Sequence, residues 1–149
     1  MSSASTPSHR GFRAILEGHQ ELRLLLGAIE RALRERTASI AEVSDMLAQL
    51  GDRLVKHFAL EEQEGYFGDA LLRAPQLVAK ANQLLAQHPL MCGCVSSLLQ
   101  EAQSSPEGED WWDRTERLFS AFRDELLRHE RQEDRLLLEA YGQDIGSHD

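Results

Sequence analysis

Cysteine is scarce in this chain of 149 residues: there are two, Cys92 and Cys94, with one glycine between them. That spacing is neither a disulfide framework nor a C-x-x-C redox pair, so a reducing, cytoplasmic setting is the expectation. Basic charge is short as well. The 16 Lys and Arg stand against 25 Asp and Glu, for a formal net charge of −9. This argues against a nucleic-acid or anionic-membrane surface, because phosphate groups need clustered cations. No apolar run approaches the roughly 20 residues of a membrane span. The opening "MSSASTPSHRG" lacks the apolar segment of a secretory signal. Strand-like alternation, Asn-Gly hairpins, internal repeats and a second composition are missing too. What remains is one domain with room for a real core. It is expected over residues 10–142, with flexible polar tails at 1–9 and 143–149.

Helical periodicity fills most of that length. Four runs step by three and four residues, as bundle helices do. They are Phe12, Ile15, His19, Leu22, Leu26, Ile29, Leu33; then Ile40, Val43, Leu47, Leu50, Leu54, His57, Glu61; then Leu77, Ala81, Leu84, His88, Cys92, Val95, Leu99, Ala102; and Thr115, Leu118, Phe122, Leu126, His129, Glu133, Leu136, Ala140. Ser39 with Glu42 reads as a capping box for the second helix. Glu64-Gly65 loosens its end, and "GDALLR" reads as a short turn. Pro75 suits the first turn of the third helix. Ser105 and Pro106 read as N-cap and N1 of the fourth. The expected fold is all-α: an up-and-down antiparallel four-helix bundle.

The core stripes carry the chemistry. Each has one histidine: His19, His57, His88, His129. Two of these are followed four residues later by a glutamate, as His57-x-x-x-Glu61 and His129-x-x-x-Glu133, and residues i and i+4 share a helix face. A lone core histidine is usually a satisfied packing residue. A buried carboxylate is costly unless paired, and no Lys or Arg occupies these stripes. Height along the bundle tests convergence independently. His19 and His57 are equidistant from residue 38; the 57/61 pair and His88 from a point between 73 and 74; His88 and the 129/133 pair from one between 109 and 110. All three points fall in or beside the expected turns, and a two-residue error moves the level by only about 3 Å. Four imidazoles and two carboxylates in one dry layer require a compensating cation. A metal supplies it, and two carboxylates between two sets of histidines suit two ions sharing both. The ferritin-like Glu-x-x-His spacing is absent.

In this order, His19, His57-x-x-x-Glu61, His88, His129-x-x-x-Glu133, the chain resembles the hemerythrin-like (HHE cation-binding) family over about residues 10 to 140. The acidic doublets Glu61-Glu62 and Glu133-Asp134 are also typical of it. The resemblance implies a non-haem di-iron centre, two Fe ions bridged by carboxylates. Members bind dioxygen, sense oxygen or iron, react with nitric oxide or peroxide, or help repair iron–sulfur clusters. Carried over, His19 and His57 ligate one iron, His88 and His129 the other, and Glu61 and Glu133 bridge. Three departures stand out. Cys92 takes the place of a further histidine found in the oxygen carriers. Asp134, five residues after His129, competes with Glu133. Pro89 directly follows His88 and, with Gly93, weakens the third helix.

The remaining candidates read more plainly. Tyr66 is a ligand only if the second helix continues past its expected end, and Phe67 beside it packs there. Cys92 and Cys94 read as inert thiols before redox groups. Of Trp111 and Trp112, one plugs the bundle end and an exposed one would mark a dimer patch. Met46 and Met91 fill core. The first functional reading is a di-iron protein acting on dioxygen, peroxide or nitric oxide, whether or not with turnover, as a monomer or weak homodimer. Its alternatives are an iron- or oxygen-responsive signalling module, an iron-delivery or cluster-repair protein, and a metal-free bundle.

Overall fold

The computed structural model describes residues 7–63 and 67–146, with the side chains of 7–10, 67, 69, 70 and 143–146 outside that description. Among the described residues five α-helices follow one another: α1 Pro7–Glu35, α2 Ile40–Glu61, α3 Phe67–Arg73, α4 Val78–Ser104 and α5 Glu109–Gly146. Helical backbone among the described residues reaches Pro7 at one end and Gly146 at the other, which lie in the segments expected as tails. Among the described residues there is no strand, and no helix is long and apolar enough to cross a membrane. The four long helices close a ring, α1 against α2, α2 against α4, α4 against α5 and α5 against α1, while α3 packs on α5 and α1.

Residue chemistry sets the turns. α1 stops where Arg36 takes a left-handed φ of 53°, the conformation that ends many helices. Its guanidinium reaches Asp113 at 3.3 Å and lies over the Trp112 ring, tying this turn to the start of α5. Ser39 then caps α2 as expected: its Oγ accepts from Glu42 N–H at 3.1 Å, and Glu42 Oε1 accepts from Ser39 N–H at 2.8 Å. Pro75 opens a single 3₁₀ turn, Pro75–Leu77, that leads into α4. The fourth long helix corrects the sequence reading. Ser105 does not cap it; Ser105 ends α4, its N–H bonded to Glu101 C=O at 3.0 Å. Pro106 falls in the connection, and α5 starts only after Gly108, whose φ of 156° favours glycine.

Two register changes matter for the site. On α4 the buried line runs Ala81, Leu84, His88, Met91, Val95, Leu98, Ala102, so Met91 rather than Cys92 follows His88 inward. On α5 Phe119 is buried where Leu118 was expected, and Leu118 is exposed. Among the described residues the core consists of two apolar clusters. One holds Leu22, Leu26, Leu50, Leu54, Phe58, Leu126 and Trp111, whose Nε1 donates to Ala102 C=O at 2.8 Å and closes that end. The other holds Ile15, Leu77, Leu84, Leu136 and Tyr141, beneath α3. In α1, α4 and α5 the two clusters are separated by stripe residues, His19, His88, and His129 with Glu133, while α2 ends at the same layer with His57 and Glu61.

Candidate metal centre

The separating layer is dry. His19, Glu61 and Glu133 have no exposed surface, and His129, His88 and His57 retain 1%, 2% and 7%. α1 contributes His19, α2 His57 and Glu61, α4 His88, and α5 His129 and Glu133. The i,i+4 spacing puts each glutamate one turn below its own histidine: Glu61 Oε2 is 2.7 Å from His57 Nε2, and Glu133 Oε2 is 2.8 Å from His129 Nε2. Across the bundle, His19 Nε2 lies 3.1 Å from Glu61 and 3.0 Å from Glu133, and His88 Nε2 lies 3.1 and 3.0 Å from the same two residues. The rings sort into edge-on pairs, His19 with His57 at 4.9 Å and His88 with His129 at 5.0 Å between centroids. Phe58 stacks flat on His88 at 3.8 Å.

Among the described residues, ligand atoms therefore collect into two groups, His19, His57, Glu61, Glu133 and His88, His129, Glu61, Glu133, each with its atoms within 4.8 Å of one another. The glutamates belong to both. All six residues singled out from the stripes are brought together.

Hydrogen bonding on the far side of the rings fixes what the near side can do. His19 Nδ1 is 2.7 Å from Asp134 Oδ1, His88 Nδ1 is 2.8 Å from Glu62 Oε2, and His129 Nδ1 is 2.8 Å from Gln87 Oε1. Those oxygens only accept, so each Nδ1 carries a proton. A neutral ring then turns an Nε2 lone pair toward carboxylate oxygens about 3 Å away, which repels unless positive charge lies among them. Without a metal, protons supply that charge. Burial opposes a charge on His19, yet Asp134, Glu133 and Glu61 push its pKa up to about 12. His88, opposed by burial in the same way, is pushed up to about 10 by Glu133, Glu61 and Glu62. Burial works against an ionised Glu61 too, but its three histidine partners hold it well below the usual carboxylate range. Protons leave loose ends. His57 Nε2 and Glu61 Oε1 are buried and make no hydrogen bond, although His57 Nε2 has a carboxylate oxygen at 2.7 Å and Glu61 Oε1 an imidazole nitrogen at 3.1 Å. They are close without being aimed at each other, as ligands of a shared third atom are. The donor set therefore fits a metal.

The other sequence candidates lie elsewhere. Asp134 sits outside both groups, holding His19 and accepting from Arg23 at 3.1 Å. Cys92 is half-buried against the apolar core, and burial together with Glu62 raises its thiol pKa; Cys94 is exposed. Trp112 is half-buried beside Trp111. Tyr66 and His148, and the side chains of Phe67 and His9, lie outside the described residues. Three residues escaped the stripe reading. Glu62 and Gln87 each precede or follow a stripe residue by one, and only the packed geometry shows which ring they face. Glu130 is 1% exposed with both oxygens lacking a hydrogen bond, 3.4 Å from Arg23 Nε. Burial raises its pKa to about 8. Its signal was an acid directly beside His129, hidden in the charged run "RHERQED".

No curated protein and no solved structure matches the chain. The family model of the hemerythrin HHE cation binding domain does match it, over residues 10–141. That span takes in every residue of the buried layer and most of each of the four helices that supply it, so the chain belongs to the hemerythrin HHE cation binding domain family.

Proposed function

We propose that this protein is a non-haem di-iron protein whose centre reacts with dioxygen, peroxide or nitric oxide. The observation that carries the reading is the pair of four-ligand groups sharing both glutamates. His19 and His57 would hold one ion, His88 and His129 the other, and Glu61 and Glu133 would bridge. Imidazole and carboxylate in equal numbers around each ion, with no thiolate, favour iron over metals that seek sulfur. The Nε2-to-oxygen separations of 2.7 to 3.1 Å support this. Ligands at right angles with bonds of roughly 2.1 Å stand about 3 Å apart, closer than tetrahedral ligands do. Bound there, a pair of irons supplies two-electron redox chemistry and an unfilled position for a small ligand.

The chain's own residues prepare the site. Asp134, Glu62 and Gln87 keep the Nδ1 protons in place, so three Nε2 lone pairs face inward. Phe58 and the flanking leucines exclude water from one side, and Ile15, Leu84 and Leu136 from the other. Reaction is favoured over oxygen storage because the fifth imidazole of the oxygen carriers is missing. Its counterpart Cys92 points off the inward line, and burial keeps it a thiol. Four histidines divide two and two, so neither ion is filled by protein.

The test is to load metal-free protein with ferrous iron under anaerobic conditions, count iron per chain, then follow the visible spectrum on adding air, peroxide or nitric oxide. Two irons per chain and consumption of peroxide or nitric oxide are expected. Saturation at one iron per chain would sink the di-iron reading. A long-lived absorption band that vacuum removes, with no peroxide turnover, would favour a carrier or sensor instead.

A further inference from the structure

Gly18 lies inside α1, one residue before His19. Glycine weakens a helix interior relative to alanine, because the unfolded chain has more freedom to lose. Nothing in the local backbone asks for it, since its φ lies outside the left-handed region. The neighbouring side chain does. A Cβ at position 18 would overlap His57 Nδ1 and stand 2.5 Å from its Cε1. Gly27, on the same helix, would meet nothing within 4 Å, and Gly51 nothing nearer than Val95 Cγ1 at 3.7 Å.

His57 is also the one ring of the layer with no Nδ1 hydrogen-bond partner among the described residues; Asp134, Glu62 and Gln87 serve the other three. Its orientation is left to packing: the α1 backbone at Gly18 on one side, the edge of His19 at 4.9 Å, and Phe58 at 6.0 Å. A depression of about 550 Å³ between α1 and α2, lined by Glu17, Gly18, Glu21, Arg53 and Lys56, reaches His57 at its floor. A ring that lost its seat on Gly18 would have somewhere to go.

We propose that Gly18 is a positioning residue: its missing side chain is the slot that seats the His57 imidazole with Nε2 against Glu61, and so completes the His19–His57 half of the centre. The half-site consequence rests on the di-metal reading above; the slot itself does not. Without Gly18 the ring swings toward the depression, and that half loses one of its two imidazoles while the His88–His129 half keeps both.

A melting cycle in excess chelator tests the slot without any metal, comparing wild type, Gly18→Ala, His57→Ala and the double variant. With His57 truncated, alanine at 18 should raise the melting temperature by roughly 2–4 °C through its helix preference. With His57 present the same change should fail to raise it. Equal shifts in both backgrounds would overturn the proposal. If Gly18→Ala alone does not fold, recovery of folding by His57→Ala supports the slot, and failure in both overturns it. The second arm counts ferrous iron bound anaerobically. Gly18→Ala should bind one ion fewer per chain than wild type, with Gly27→Ala unchanged; wild-type loading of Gly18→Ala would overturn the proposal. Wild type that binds no metal would sink the di-metal reading instead, and the melting cycle would still decide the role of Gly18.

Discussion

Asp134 and Glu133 are adjacent in sequence and do different work. Glu133 reaches three of the four inward nitrogens' neighbourhood directly, lying within 3.0 Å of His19, His88 and His129. Asp134 is one helical step away, 23% exposed, and within the layer touches only the outer nitrogen of His19, its other oxygen accepting from Arg23. In the proposed di-iron reading Glu133 would be a shared ligand, so Glu133→Ala should lose most bound metal. Asp134→Ala removes an orienting hydrogen bond, and such losses weaken metal affinity by about 10- to 100-fold. Competition against a graded series of chelators measures both. Equal and complete loss from the two variants would place Asp134 among the ligands, the i+5 alternative that the sequence alone left open. The six stripe residues were legible because i,i+4 spacing and matching heights are properties of any straight helix. Glu62, Gln87 and Glu130 were not, because each sits one residue off the stripe. Which of two neighbouring acids turns inward depends on helix rotation, and rotation is set by packing.

Among the helices, α2 carries the clearest local instructions. Ser39 and Glu42 exchange hydrogen bonds at its first turn, so Ser39→Ala should cost about 1 kcal/mol of stability, measured by urea denaturation. A cost near zero would mean that packing alone fixes where α2 begins. The backbone N–H of Ser39, and then its hydroxyl, hold the Glu42 carboxyl below its ordinary value. Its contribution is therefore present above about pH 4.5 and fades as the pH falls through the folded value. This start was readable because S-x-x-E precedes an unbroken apolar run. The start of α5 misled for a related reason. "SSPEGED" offers several capping residues in succession, and Ser105 was taken up by α4 and by Arg114, which donates to its Oγ at 2.9 Å. The chain could then turn only at Gly108. On α4, the step from His88 to Met91 is three residues where four was read, and Leu98 replaces Leu99 in the same way. Both three- and four-residue steps satisfy helical periodicity, so the sequence allows either line. α3 has seven residues, too few to show a period at all.

The whole molecule is two apolar clusters joined through a charged layer, and this makes its stability depend on what fills the layer. In the metal-free protein the filler is protons. His19 and His88, their pKa values pushed up to about 12 and about 10, hold protons that they would release near 6.5 in the unfolded chain. Raised values on a base mean that their stabilisation is complete below pH 6.5 and is lost as the pH rises through those folded values. Glu130 adds to the same slope. A carboxyl raised to about 8 stays neutral in the fold while it would ionise in the unfolded chain, so stability drops as the pH climbs from its ordinary 4.5 toward 8. Glu61, held low, contributes above 4.5 and sets the acid side. The metal-free protein should therefore be most stable at about pH 4.5 to 5 and weaken steadily from there into the alkaline range. Metal entering the layer takes the place of the imidazole protons. Loading ferrous iron at neutral pH should release about two protons per chain, from His19 and His88, and the gain in melting temperature on loading should be larger at about pH 9 than at about pH 6. Calorimetric titration in two buffers with different heats of ionisation counts the protons directly. Metal uptake with no proton released, or a gain that does not change with pH, would show that the ions settle somewhere other than among these histidines.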